Sequence, residues 1–388
     1  MQFEKHCWAE IDLDAVRHNY RLVKAASGGE VMAVVKADAY GHGAAPVARV
    51  LREEGAGWFA VSCLAEALEL RRADISCPVL ILGHTQPSQA ARLAKEEVRQ
   101  TVYSAEYARA LSARAVQDGV TVLCHLKLDT GMGRLGFCVR SEEAVEQAMQ
   151  EILPVLELPG LSFEGAFIHF AAADSNAPDD VAYTEQQYHL FRLLLSRLEQ
   201  AGHTFPLVHC CNSAASFTRP QWRHSLVRPG IVLYGCQPSN EVGLEGLRPV
   251  LAFKTIVTHV KWVQPGETLS YGRTFAPDHP IRVATLAAGY ADGYPRGLSG
   301  KGMVRIGGVD CPVLGRVCMD QLMADVSALP DVQRGDEAVL FGAGGAQTVD
   351  QAADLCGTIG YELLCHISRR VPRLYLDGET NFLVNHLE

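Results

Sequence analysis

Over the first 235 or so residues, short apolar runs rich in β-branched residues alternate with longer amphipathic stretches. The runs at 31–35, 58–61, 79–82, 100–103, 120–128, 163–169, 207–211 and 226–227 predict eight strands, the last continuing to Tyr234. Helical spacing fills the gaps at 44–54, 65–73, 105–118 and 184–202, where Tyr188, Phe191, Leu194, Leu195 and Leu198 share one face. Eight strand–helix units in succession predict an α/β fold, a (β/α)8 TIM-type barrel with its working face at the C-terminal strand ends. A doubly wound parallel sheet is the alternative that the same pattern allows. From about Pro238 the texture changes. Runs at 256–263, 281–288, 303–306, 309–313 and 338–341 read as strands between Gly, Pro and Asp turns, with one helix at 349–355. The expected division is therefore a barrel over 1–238 and a mainly β domain over 239–388. The opening segment, Cys7-Trp8-Ala9-Glu10-Ile11-Asp12, reads as a strand that can pack on the second domain.

Composition narrows the class. A chain of 388 residues, 48% apolar and 20% charged, is that of a globular protein with room for two domains. No run approaches the ~20 apolar residues of a membrane span, and Met1-Gln2-Phe3-Glu4-Lys5-His6 lacks a signal peptide's basic start and apolar block. A cytoplasmic location is expected. A net charge of −9 argues against nucleic acid as a partner. The twelve cysteines are scattered with no Cys-x-x-Cys pair, so no metal site is expected and the thiols read as small core residues.

The polar residues at the strand ends carry the chemistry. Lys36 closes the first run in Val34-Val35-Lys36-Ala37-Asp38-Ala39-Tyr40-Gly41-His42-Gly43. Poor hydration at a buried strand end favours the neutral amine, a nucleophile toward aldehydes; a lysine snorkelling out of the strand is the plainer reading. In the fifth run, alternation sets His125, Lys127 and Asp129 on the face opposite Cys124, Leu126 and Leu128, hence inward in a barrel. A glycine turn follows and delivers Arg134, suited either to fork onto a carboxylate or to pair structurally with Lys127 and Asp129. His169 ends the sixth run on the lumen side, where a satisfied core histidine is the plainer reading. Ser213 follows the seventh run, and Arg228, Gly230 and Ile231 follow the eighth. Those two loops are where barrels bind phosphate. Pyridoxal 5'-phosphate has both an aldehyde and a phosphate, and so unites Lys36 with this seat.

With these residues in order, the chain resembles the alanine racemase family of fold-type III pyridoxal-phosphate enzymes over nearly its whole length. The resemblance rests on the Lys36 motif, Lys127-Leu128-Asp129-Thr130-Gly131-Met132-Gly133-Arg134, His209-Cys210-Cys211-Asn212-Ser213 and Val227-Arg228-Pro229-Gly230-Ile231. It continues through Ser270-Tyr271-Gly272, Gly289-Tyr290-Ala291-Asp292-Gly293, Gly315-Arg316-Val317-Cys318-Met319-Asp320-Gln321 and Tyr361-Glu362. It implies that Lys36 holds the cofactor covalently and acts as a base, with Tyr271 as the second base. It implies phosphate binding by Tyr40, Ser213, Gly230, Ile231 and Tyr361, Arg228 at the pyridine nitrogen, and His169 ordering the network beside it. Arg134 and the backbone near Met319 would hold the substrate carboxylate, and Lys127 matches a lysine often carbamylated in the family. Tyr271 lies 235 residues from Lys36, and the resemblance implies that it reaches the site from the other subunit of a head-to-tail homodimer. The expected activity is interconversion of L- and D-alanine, supplying D-alanine for peptidoglycan. A serine or broad-specificity racemase, or a non-catalytic pyridoxal-phosphate-binding regulatory barrel, are the alternatives. Cys211 stands where the family usually has alanine, next to the expected phosphate seat.

Overall fold

A computed structural model describes residues 5–387. Two sheets organise the chain. The first is parallel, with strands β2 (Glu30–Val34), β3 (Trp58–Val61), β4 (Val79–Ile81), β5 (Val98–Val102), β6 (Val122–Asp129), β8 (Leu161–Phe167), β9 (Leu207–His209) and β10 (Leu226–Val227), while a two-residue β7 (Phe137–Cys138) flanks β6. Their order is β10-β2-β3-β4-β5-β6-β8-β9, and the ring nearly closes where Ser225 N and Arg228 N donate to Val208 O and Cys211 O, at 3.0 and 2.8 Å. Helices lie between the strands, so this is the expected (β/α)8 barrel rather than an open doubly wound sheet.

The second sheet is mixed. It holds β1 (Cys7–Asp12) together with β11 (Leu251–Val263), β12 (Ile281–Leu286), β13 (Met303–Ile306), β14 (Val309–Leu314), β15 (Leu322–Asp325), β16 (Glu337–Gly342), β17 (Arg373–Asp377) and β18 (Thr380–Val384). β1 lies between β11, antiparallel to it, and β17, parallel to it, so the first strand of the chain packs on the second domain as its pattern allowed.

Three local expectations are corrected. The eighth strand stops at Val227 instead of reaching Tyr234. Pro229 has no N–H to give a ladder, Gly230 turns the chain, and Ile231–Tyr234 is a 3-10 turn. The C-terminal half has a second helix, Gly360–Cys365, whose six residues are too short for a helical period to show. β15, β17 and β18 were also missed, although Asp377-Gly378 between the last two is a hairpin signal, and Gly378 takes φ 57° there.

Candidate active site

β2 delivers Lys36 into an unusual turn. Ala37, Asp38, Ala39 and Tyr40 all have φ between 52° and 54°, one turn of left-handed helix built from non-glycine residues. Such a turn costs about 1–2 kcal/mol per residue, so surrounding contacts must impose it. Glu66 takes the Ala37 amide at 2.7 Å, and the Asp38 carboxylate takes the Ala44 amide at 2.7 Å. Tyr234 donates to Val34 O at 2.9 Å. From β17, the fully buried Arg373 donates to Gly41 O, and Tyr375 donates to His42 O at 2.9 Å. Gly43 (φ 94°) is obligatory, because a Cβ there would sit 1.8 Å from the Tyr375 hydroxyl. Thus the second domain clamps the loop that presents Lys36. Glu66, Tyr234, Arg373 and Tyr375 were not foreseen, since their roles depend on contacts between residues far apart in the chain.

Lys36 opens onto a cavity of about 730 Å³ at the C-terminal ends of the barrel strands, shared with Tyr40, Lys127, Arg134, His169, Ser213, Arg228, Gly230 and Tyr361. Burial, followed by the nearby Arg134 charge, lowers the Lys36 ammonium below its ordinary pKa. At the end of the cavity where a phosphate is expected, Gly230 N donates to Ser213 Oγ at 2.9 Å, which leaves the Ser213 proton free to donate elsewhere. A Cβ on Gly230 would fall 2.4 Å from the Tyr40 hydroxyl, so the seat exists only with glycine there. Ile231 opens the short 3-10 turn, with Gly230 before it. Burial raises both Tyr40 and Tyr361, so both hydroxyls keep their protons as donors.

Deeper in the lumen, Arg228 is buried and bonds to His209 Nδ1 (2.8 Å), Ile168 O (2.8 Å) and Cys210 O (3.1 Å). Burial lowers it to about 10, so it stays a cation at neutral pH. His169 lies two residues beyond the end of β8. Burial and the Arg228, Arg134, Lys127 and Lys36 charges push it well below its usual value, so its imidazole is neutral. Lys127 donates to Leu128 O at 2.7 Å, and burial and Arg228 lower it to about 7. Asp129 does not join Lys127 and Arg134 in a structural ion pair. Its carboxylate accepts the Gly131 and Gly133 amides and pairs with Arg140 at 3.0 Å, shaping the glycine turn that holds Arg134 at the cavity mouth. Cys211 is fully buried in the core.

Tyr271 and Met319 lie elsewhere. They line a separate shallow cavity of about 500 Å³ on the second domain and are 69% and 53% exposed. Leu269 and Phe275 bridge the base of the Tyr271 loop, and Ser270 (φ 65°) and Arg273 (φ 51°) are strained within it. Ser270 Oγ donates to Arg316 O at 2.5 Å. Tyr290, 43% exposed, neighbours Met319, its backbone N–H donating to Cys318 O at 3.1 Å. Strain held at an exposed aromatic tip marks a functional segment rather than a packing one.

The donor set fits pyridoxal 5'-phosphate: a reactive amine at one end, neutral hydroxyl and amide donors around a glycine cradle at the other, and a fixed cation between. This combination defines a barrel enzyme of the pyridoxal-phosphate-dependent class. Family models described as "Alanine racemase, N-terminal domain" and "Alanine racemase, C-terminal domain" match residues 11–238 and 250–375. The chain is 46% identical to an alanine racemase of Desulforamulus reducens (95% of this chain, 98% of the relative) and 43% identical to alanine racemase 1 of Clostridium acetobutylicum (98% of each). Among solved structures, it is similar to alanine racemase of Bacillus anthracis with bound L-Ala-P, at TM-score 0.91 and 36% identity over 100% and 99% of the two chains. The chain belongs to the alanine racemase family, whose enzymes are pyridoxal-phosphate-dependent isomerases. No helix among the described residues is long and apolar enough to cross a membrane.

Proposed function

We propose that this chain interconverts L- and D-alanine in the cytoplasm by a two-base mechanism, with residues 1–238 binding the cofactor and 239–388 supplying the second base to a partner. The observation that carries this reading is the convergence of a Lys36 whose pKa burial lowers, a neutral-donor phosphate seat and Arg134 on one cavity. Tyr40, Ser213, Gly230, Ile231 and Tyr361 would hold the phosphate, Lys36 the aldehyde carbon and Arg228 the ring nitrogen, with His169 ordering the groups beside it. When bound, pyridoxal phosphate supplies an electron sink for the α-carbon of the substrate. Arg228 is a donor-only cation and keeps its proton, so it does not charge the ring nitrogen. Arg134 and the backbone near Met319 of the partner subunit would hold the carboxylate, which leaves the α-hydrogen between two acid/base groups. Lys36 Nζ takes or returns the proton on one face and the Tyr271 hydroxyl on the other.

On a single chain, Tyr271 and Lys36 line different cavities, and Tyr271 and Met319 stand exposed in a cluster with Lys261, Thr268, Asp320 and Gln321, with Tyr290 also exposed. A head-to-tail homodimer covers that cluster and brings Tyr271 of the partner subunit over Lys36. Tyr361 and the partner subunit's Met319 narrow the space beside the substrate, which favours alanine over serine. The direct test is circular dichroism of L-alanine and L-serine solutions incubated with the loaded enzyme. Loss of the alanine signal at least about tenfold faster than that of serine is expected, this being the discrimination that one added group in a pocket provides. Comparable rates would reassign the chain to the broad-specificity reading.

Lys127 is proposed to carry a carbamate, since an amine with a pKa of about 7 is substantially neutral at physiological pH and can take up CO2. The anion would then face Arg134 in place of a second cation. Without CO2, the lowered pKa has a definite stability sign. Below about pH 7 lysine is charged in both states, and the folded protein bears the full cost of burying the charge. That cost fades as pH rises toward the unfolded value of about 10.4. In CO2-free buffer, Lys127→Met is therefore expected to raise stability in urea by a few kcal/mol at pH 6, and by less at pH 9. A gain independent of pH would show that Lys127 is not a strained cation. In wild-type protein at pH 8, 13C-bicarbonate should give a carbamate resonance that Lys127→Met lacks.

A further inference from the structure

Behind the cofactor site, a line of polar side chains crosses the lumen to the opposite end of the barrel. Arg228 Nη1 meets His209 Nδ1 at 2.8 Å, and His209 Nε2 meets His125 Nδ1 at 2.9 Å. His125 Nε2 then faces Glu164 Oε1 at 3.6 Å, and Arg99 Nε donates to that same oxygen at 2.7 Å. The five residues come from β5, β6, β8, β9 and the segment after β10. Both histidines are fully buried, whereas Glu164 and Arg99 keep 22% and 15% of their side-chain surface exposed at the floor of the barrel.

Donor counting fixes every proton in this line. A guanidinium only donates, so His209 Nδ1 must be bare and its proton must sit on Nε2. His209 then donates to His125, whose Nδ1 is bare and whose buried Nε2–H faces the Glu164 carboxylate across 3.6 Å, beyond hydrogen-bond length and without another hydrogen-bond partner among the described residues. Protonating His209 would break its bond to Arg228 and set two cations in contact. Burial and the Arg228 charge accordingly hold His209 well below its usual pKa, and burial lowers His125 too. The backbone makes room for the arrangement. At Gly165, next to Glu164, a Cβ would lie 2.5 Å from His125 Nδ1, so any other residue there would displace the imidazole from His209. Stacking of Phe167 on His209 (4.8 Å, 14°) and of Arg99 over Trp58 (5.3 Å) fixes the two ends.

We propose that Glu164 is a positioning residue for Arg228: facing the last N–H of the one-directional His209–His125 relay, whose tautomers the guanidinium fixes, its carboxylate holds both rings in place and thereby the orientation of the guanidinium toward the cofactor. The role rests on the proposed function only in taking Arg228 as the cofactor's partner; the relay itself belongs to the chain alone. Glutamine at 164 keeps an acceptor oxygen and alanine does not, so Glu164→Gln should rescue what Glu164→Ala loses.

The experiment is magic-angle-spinning 15N spectroscopy of the full-length protein with ring-15N histidine, alone and loaded with pyridoxal phosphate, alongside alanine racemisation kinetics. His209→Asn and His125→Asn would assign the signals. Wild type and Glu164→Gln should show His125 and His209 as single Nε2–H tautomers in both states. In Glu164→Ala the tautomers, fixed by the Arg228 donor, should persist, but the His125 Nε2–H signal should shift and kcat should fall on the order of tenfold with KM little changed, the factor expected when one buried donor loses its polar neighbour. Gly165→Ala should reproduce both changes and serves if Glu164→Ala does not fold. An unchanged His125 Nε2–H signal or kcat in the alanine variants, or a glutamine variant no better than alanine, would overturn the proposal. A wild type with the stated tautomers but no racemisation would instead count against the proposed function and leave the relay standing.

Discussion

Lys36→Ala should lower kcat for alanine racemisation by on the order of 10⁴-fold or more, because one substitution removes both the covalent tether of the cofactor and one of the two bases. The visible band near ~420 nm expected of lysine-bound pyridoxal phosphate should vanish with it. The rival for this role is Lys127, which lines the same cavity and also has a lowered pKa. Geometry separates the two. The Lys127 ammonium is spent on Leu128 O and lies 5.1 Å over the Phe167 ring. Lys36 instead stands at the head of a left-handed turn that four residues maintain at roughly 4–8 kcal/mol of local strain. Strain of that size persists only where many contacts oppose it, and here they come from both domains: Glu66 from the barrel, and Arg373 and Tyr375 from β17. Borohydride reduction of the loaded enzyme followed by peptide mapping should place the cofactor on Lys36 alone. Cofactor recovered on Lys127, or a Lys36→Ala enzyme with appreciable activity, would remove Lys36 from its role.

The turn after Lys36 also marks where the sequence could not be read. Ala37, Asp38, Ala39 and Tyr40 have no intrinsic preference for positive φ, so nothing local predicts the left-handed helix; it is imposed by tertiary contacts from residues more than three hundred positions away. The barrel strands were legible for the opposite reason: their apolar runs are bounded by breakers, and β6 alternates cleanly enough to send His125 and Lys127 inward. Cavity residues could be named because barrels place them at strand ends, although β8 and β9 stop two residues earlier than their apolar runs and leave His169 and Cys211 in loops. The relay behind Arg228 was half visible. His125 was placed in the lumen, but the bond to His209 needs the β6–β8–β9 register, which no pattern in one strand contains. Tyr271 reads as an ordinary strand tyrosine without the family resemblance, and the exposed, strained loop that carries it only becomes apparent in three dimensions.

Mixing two inactive variants should restore activity if Tyr271 acts across a dimer interface. Tyr271→Ala alone should leave cofactor binding intact, since Tyr271 lines a different cavity from the phosphate seat. Racemisation should fall by roughly 10²–10⁴-fold, the usual worth of a positioned proton-transfer group. The equilibrium constant between enantiomers is unity, so kcat/KM must drop equally in both directions. What distinguishes a lost base on one face is exchange of the α-hydrogen in D2O, which should survive for one enantiomer and collapse for the other. Now combine Lys36→Ala with Tyr271→Ala subunits under conditions that let protomers reassort. In a mixed dimer, one site receives Lys36 from the Tyr271→Ala chain and Tyr271 from the Lys36→Ala chain, and is complete; the other site has neither base. Random reassortment makes half the dimers mixed, so about a quarter of all sites should regain wild-type turnover. If Tyr271 served the Lys36 of its own chain, every site would lack one base and mixing would restore nothing. The recovered fraction thus reads directly which subunit the tyrosine serves, and the exposed cluster of Tyr271, Met319 and Tyr290 is the surface that the partner should bury as it does so.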